Sequence, residues 1–198
     1  MTIIVGLGNP GEEYDNTRHN AGRIVLEVFR KKYDLPEWEL DSKLNALVSE
    51  GKVGKKKVTL LCPETFMNKS GNSLKSVITS AKKAKDLVVV HDDLDLPIGR
   101  FKISFNKSSG GHRGVESIMK TVKTEEFTRI RVGISPETAG GKLKKPHGEE
   151  AVEKAILGRF KDGELATLKK ISKILAEALA AFPEFGPEKT ASIFGGKG

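Results

Sequence analysis

The sequence predicts an α/β fold: a single-domain, three-layer αβα sandwich around a mixed, mostly parallel twisted β-sheet. Three observations carry this. Short apolar runs such as "TIIVGL" and "DLVVVHD" recur along the chain, and their length and Val and Ile content are those of buried strands. Stretches of helical periodicity separate them, which places helices on both faces of a largely parallel sheet. One pair of alternating runs, "NALVSEGKVGKKKVTLL", is joined by a short turn of Gly and Lys. That pair reads as a hairpin and makes the sheet mixed.

Taken in order, strands are expected at "TIIVGL", "NALVSEG", "KVTLLC", "DLVVVHD", "RFKISF" and "RIRVGI". Between them, Asn20 to Tyr33 carries Ile24, Val25, Val28 and Phe29 at helical spacing. Further helices are expected over Asn72 to Ala84, Gly114 to Val122, Glu149 to Leu157 and Gly163 to Phe182. In the last of these Leu165, Leu168, Ile171, Leu175 and Leu179 form one apolar stripe, as in a helix laid on a core. Residues 1–183 are expected to form the domain. Residues 184–198, rich in Gly and Pro, are expected to be a loosely ordered tail.

At 198 residues, 37% of them hydrophobic, the chain is long enough to bury a core without metals or disulfides. Its one cysteine, Cys62, lies inside an apolar run and reads as a small buried hydrophobe, so an internal disulfide and a Cys-based metal cluster are excluded. No basic leader precedes the first strand and no apolar run approaches the length of a bilayer span. A cytoplasmic protein with no membrane partner is expected. The net charge of +8 favours a polyanionic partner, although the runs "KVGKKK", "KKAK" and "KLKK" also suit solvated turns and helix ends.

Gly6, Gly8 and Gly11 form a G-x-G-x-x-G directly after the first strand. It reads poorly as a dinucleotide site. Pro10 removes a backbone donor within the loop, Glu12 and Glu13 stand where an anion would lie, and no acidic residue ends the next strand. The loop reads better as a sharp strand exit that holds Asn9 at the carboxyl edge of the sheet, where open α/β folds bind ligands. His19 then opens the next helix.

Other polar residues share that edge: Asn68 beyond "LLCPETF", His91 and Asp92 ending "VVVHD", and His112 with Arg113 after "RFKISF". A base, a carboxylate to orient it and amides to bind a carbonyl are the parts of a hydrolytic site. No activated serine or cysteine accompanies them, which makes water the nucleophile. Each residue also has a structural alternative, as a turn-forming Asn, a helix-capping His or a solvated strand-end Asp. His91, Asp92, Asp93 and Asp95 are metal-ligand types packed into one strand end without an established ligand spacing, so no metal and no cofactor is expected.

Together "VGLGNPGEEYDNTRHNAG", "PETFMNKSG", "HDDLDLPIG", "GGHRG" and "RIRVGI", in this order and spacing, resemble bacterial-type peptidyl-tRNA hydrolase from about Ile3 to Phe160. The resemblance implies a cytoplasmic, typically monomeric enzyme that cleaves the ester between peptide and tRNA without metal or cofactor. It implies that His19 is the general base, that Asp92 orients it, that Asn68 binds near the reacting carbonyl and that Asn9 recognises the acylated peptide end. Tyr14 and Phe66 match positions that contact the tRNA end, while Met67 and His112 would line the site.

Two positions depart from the family pattern. Arg113 stands where G-G-H-N-G would put an amide, and an Arg accepts no hydrogen bond, although its charge suits a phosphate. Ser104 stands where a basic residue would join Arg131 in clamping the tRNA 5′ phosphate, with Lys102 and Lys107 as possible substitutes. Two other functions stay open at this point. The first is an RNA-binding protein of the same fold without hydrolysis, which Arg113 keeps open while His19, Asp92, Asn9 and Asn68 speak against it. The second is a nucleotide-dependent oxidoreductase, for which the glycine loop would have to serve as the cofactor site.

Overall fold

The structure, a computed structural model, describes residues 1–195. β1 (Thr2–Gly6) is buried throughout and is the central strand of a seven-stranded sheet. In chain order there follow α1 (Ala21–Lys32), β2 (Glu39–Asp41), β3 (Ala46–Val53), β4 (Lys56–Pro63), α2 (Ala81–Ala84) and β5 (Leu87–Pro97). Then come β6 (Phe101–Phe105), α3 (Arg113–Val122), β7 (Thr128–Ser135), α4 (Glu149–Leu157) and α5 (Asp162–Phe194). The strand order is β2-β3-β4-β1-β5-β7-β6. β4, β1, β5 and β7 run parallel, and antiparallel pairs lie at both edges. The β3–β4 hairpin expected from its Gly and Lys turn is present, its two-residue loop closed by Val53 opposite Lys56. β2, three mostly exposed residues added to β3, has no apolar alternation that would mark it in the sequence.

Alternation along the strands sends side chains to two clusters. On one face Ile4, Leu60, Val88, Val90, Ile130 and Val132 pack under Val25, Leu26 and Phe29 of α1 and the Leu168–Leu175–Leu179 stripe of α5. On the other, Val5, Leu61, Leu87 and Val89 pack against Val115, Ile118 and Val122 of α3 and against Leu74. Full burial of such a side chain is favourable by roughly 1.5–3 kcal/mol each. Gly22 allows α1 to start directly on the sheet: a Cβ there would lie 2.3 Å from the Val90 carbonyl oxygen and 2.5 Å from the Leu7 nitrogen.

Two expected elements differ. The helix expected over Asn72 to Ala84 is instead a 3₁₀ segment, Met67–Leu74, followed by the single turn of α2. Gly71 sits against the α3 backbone, where a Cβ would meet the Ser117 carbonyl oxygen at 2.2 Å, so tertiary packing fixes this segment in place of local periodicity. Ser80, accepting from the Lys83 amide, starts α2 anew. The tail is not loose through 184–194. α5 breaks at Gly186 (φ 71, ψ −178) and then continues as helix, with Pro187 as the first residue after the break, where its missing N–H costs nothing. Thr190 and Phe194 are buried, and Phe194 joins the α1–α5 cluster. The rest of the expected tail, 196–198, lies outside the described residues.

Candidate active site

β1 stops at Gly6, opposite Val90, whereas β5 runs on beside β7 through Asp93. Asp92 is therefore not at a strand end, as the sequence suggested, but on a part of β5 that projects past its neighbour. A cleft of about 880 Å³ opens there. Asp92, 4% exposed, is the hub of its floor. His19 Nδ1 lies 2.9 and 3.0 Å from the two Asp92 carboxylate oxygens, and His112 Nε2 lies 2.9 Å from Oδ1.

Hydrogen bonding fixes the tautomers. His112 caps α3, its Nδ1 accepting from the Gly114 and Val115 amides at 3.1 and 3.3 Å. The proton of neutral His112 is therefore on Nε2, donated to Asp92. His19 donates from Nδ1, which leaves its Nε2 as a free acceptor in the cleft. Burial alone would raise the Asp92 carboxyl, but the two imidazoles facing it hold it well below the usual carboxylate range. His91 differs from both. It is buried, its Nδ1 donates to the Asp92 carbonyl oxygen at 2.7 Å, and burial pushes its pKa well down, so it stays neutral. His19, Asp92 and His112 are also the one potential metal-ligand group among the described residues, but the ligand atoms in question already bond one another as donors and acceptor.

The glycine loop places Asn9 as expected. Asn9 and Asn20 bond reciprocally: the Asn9 amide donates to Asn20 Oδ1 at 2.9 Å, and Asn20 Nδ2 donates to the Asn9 carbonyl at 3.0 Å. Asn9 Oδ1 then accepts from the Met67 amide at 2.9 Å. This orients the carboxamide so that Nδ2 is its remaining donor. His19 sits on the 3₁₀ turn Arg18–Asn20 just before α1. Arg18 anchors that turn, donating to the Ile134 carbonyl at 2.9 Å and pairing with Glu164 at 2.7 Å.

A family model described as peptidyl-tRNA hydrolase matches residues 3–197. The chain is 39% identical over 181 residues to the peptidyl-tRNA hydrolase of Brevibacillus brevis, covering 91% of this chain and 90% of that protein. It is 39% identical over 197 residues to that of Caldanaerobacter subterraneus subsp. tengcongensis, covering 99% and 100%. The chain belongs to the peptidyl-tRNA hydrolase family. A crystal structure of the family's enzyme from Acinetobacter baumannii superposes with a TM-score of 0.86 at 27% identity, covering 99% of this chain and 95% of that one.

All ten residues singled out from the family resemblance line the cleft. Tyr14 and Phe66 meet edge to face at its mouth, ring centroids 6.4 Å apart, and Phe66 is 58% exposed. Asn68 is exposed on the rim and Met67 is buried beside Gly114. Arg131 pairs with Asp93 and Arg113 with Glu149 at the start of α4. Of the two substitutes suggested for a base at position 104, Lys107 lines the cleft, while Lys102 faces Arg131 in register but lines a separate hollow.

Sequence reading missed the second imidazole on Asp92, the positioning residues Asn20 and Arg18, and Arg129. Arg129 lies opposite Ser104, is only 3% exposed, and lines the cleft with no carboxylate partner among the described residues. Burial and the neighbouring Arg131 lower its pKa. Its place in "RIRVGI", alternating with buried Ile130 and Val132, was the available signal.

Proposed function

We propose that the cleft hydrolyses the ester joining a peptide to the terminal ribose of tRNA, with His19 as general base and water as nucleophile. His19 Nε2 takes a proton from water as the hydroxide attacks the ester carbonyl, and Asp92 stabilises the imidazolium that forms. The tetrahedral oxyanion needs donors already in place, a role for the Asn68 amide. On collapse the carbonyl re-forms, the ribose oxygen leaves, and the imidazolium returns the proton to it. Free tRNA and the peptide's carboxylic acid result, and the acid then loses its proton to solvent.

Asn9 Nδ2 recognises the acylated end of the peptide, Met67 supplies an apolar wall, and Tyr14 and Phe66 give a base of the tRNA end an aromatic surface to stack on. Arg113, Arg131 and Lys107 hold phosphates, with little reading of base sequence. The enzyme acts as a monomer in the cytoplasm. Both follow from the family resemblance; no helix of the described residues is long and apolar enough to cross a membrane.

The observation that carries this reading is the fixed His19–Asp92–His112 arrangement, which leaves one acceptor nitrogen free. The test is release of the acyl group from an N-acetylated aminoacyl-tRNA beside the unblocked form. Cleavage of the blocked substrate alone is expected, with kcat falling by about 10²–10⁴-fold in His19→Ala and tRNA affinity preserved. Loss of binding in step with loss of rate would make His19 a contact residue. Absence of cleavage alongside tight, salt-sensitive tRNA binding would favour a non-catalytic RNA-binding protein.

A further inference from the structure

The cleft lining carries as many carboxylates as Lys and Arg side chains. That is an odd composition for a site that takes a polyanion. The cations are, moreover, largely occupied. Arg131 is paired with Asp93, Lys145 with Asp95 and Arg113 with Glu149. These pairs are not equivalent. In Arg131–Asp93 the side chains are 27% and 10% exposed, and both residues belong to the sheet. In Arg113–Glu149 they are 60% and 79% exposed, and the pair spans the cleft from the first residue of α3 to the first residue of α4. An ion pair so exposed holds weakly and is readily exchanged for another partner.

What Glu149 belongs to matters as much. α4 has no buried residue. It forms a wall of the cleft that meets the core cluster only through the half-buried Ile156, and Glu149, Val152, Glu153 and Ile156, on one helical face, line the cleft. On the opposite wall Arg113 directly follows His112, the imidazole bonded to Asp92. One weak pair thus ties a helix with no fully buried residue to the residue next to the reacting centre.

We propose that Glu149 is an intramolecular stand-in for a substrate phosphate. It holds Arg113 in the free enzyme and is displaced by a backbone phosphate of the incoming RNA, so that binding transfers Arg113 from carboxylate to phosphate and releases α4 from α3. This rests on the reading of the cleft as a peptidyl-tRNA site. Guanidinium suits both partners, since its planar fork matches carboxylate and phosphate alike. Arg113 is then a specificity-determining residue and Glu149 its autoinhibitory competitor.

The test is a double-mutant cycle of wild type, Glu149→Gln, Arg113→Gln and the double variant. KM and kcat are measured for an N-acetylated aminoacyl-tRNA at low salt, and the affinity for deacylated tRNA is measured on the same four proteins. Glu149→Gln is expected to lower KM and to tighten tRNA binding by about two- to five-fold, the range of an exposed pair. Arg113→Gln is expected to raise KM and the Kd for deacylated tRNA, and Glu149→Gln should have no further effect in its background. An unchanged affinity in Glu149→Gln, or a gain that persists without Arg113, overturns the proposal. If none of the four proteins cleaves substrate, the functional reading fails, while the deacylated tRNA affinities still decide the exchange.

Discussion

β6 and β7 show opposite characters on the two faces of the sheet. Towards α1 and α5 they present Phe101, Ile130, Val132 and Ile134, all buried in one apolar cluster that α5 closes. Towards α3 the alternate positions are Lys102, Ser104, Arg129 and Arg131, the last three lining the cleft, and among the described residues neither strand contributes to the α3-side cluster. The same backbone thus holds a core on one side and a polar cleft wall on the other. Stability is concentrated where the helical layer is complete, and chemistry where it is not. A covering helix over Arg129 and Arg131 would bury charge at a cost that few contacts repay, and it would also remove the site.

The sharpest break in this division is at Asp92, which serves both. Asp92→Asn deprives two imidazoles of their shared acceptor and should lower kcat by about 10²–10⁴-fold. It should also alter acid stability. The folded pKa of Asp92 is depressed, so its contribution is fully present above the unfolded carboxylate value of about 3.9 and is lost as pH falls below that towards the folded pKa. Thermal melts at neutral pH and near pH 3 should therefore show a smaller acid-induced drop in Tm for Asp92→Asn than for wild type. An equal drop would mean that other carboxylates govern acid unfolding.

Next in size is Leu175→Ala, on the closed face. Leu175 is fully buried in the α5 stripe, so its truncation should cost about 2–5 kcal/mol, read by denaturant titration, with kcat/KM kept while the protein is folded. A mild effect on stability with a large one on rate would erase the division between the faces. The smallest effect is expected at Arg129→Met. This change removes a buried charge that has no carboxylate partner among the described residues while keeping much of the volume, so Tm should hold or rise while tRNA affinity weakens. A clear fall in Tm with affinity unchanged would make Arg129 a structural residue.

Residues whose neighbours are close in sequence were legible without the structure. Asn9 was placed by the glycine turn and His19 by the start of a helix, because strand and turn patterns fix where such side chains emerge; the run "VVVHD" brought Asp92 to the right edge but misplaced the end of its strand. The family blocks then joined them into one site. Asn20 and Glu149 were not legible, since the first acts on a residue 11 positions earlier and the second reaches α3 across 36 positions. Such pairings follow from how layers stack and leave no periodic mark. The missed 3₁₀ segment has the same origin, because contact between Gly71 and α3 overrode a pattern that alone favours a helix. In the tail, Gly and Pro masked Thr190 and Phe194, whose burial holds 187–194 in place.

Gly22 bears on heredity as well as on shape. Because the start of α1 rests on the main chain of Leu7 and Val90, the separation of His19 from Asp92 is set by peptide against peptide. Exchanges of side chains on the outer surface of α1 can accumulate over generations without touching it. A single added methyl at position 22 would lift the whole mount.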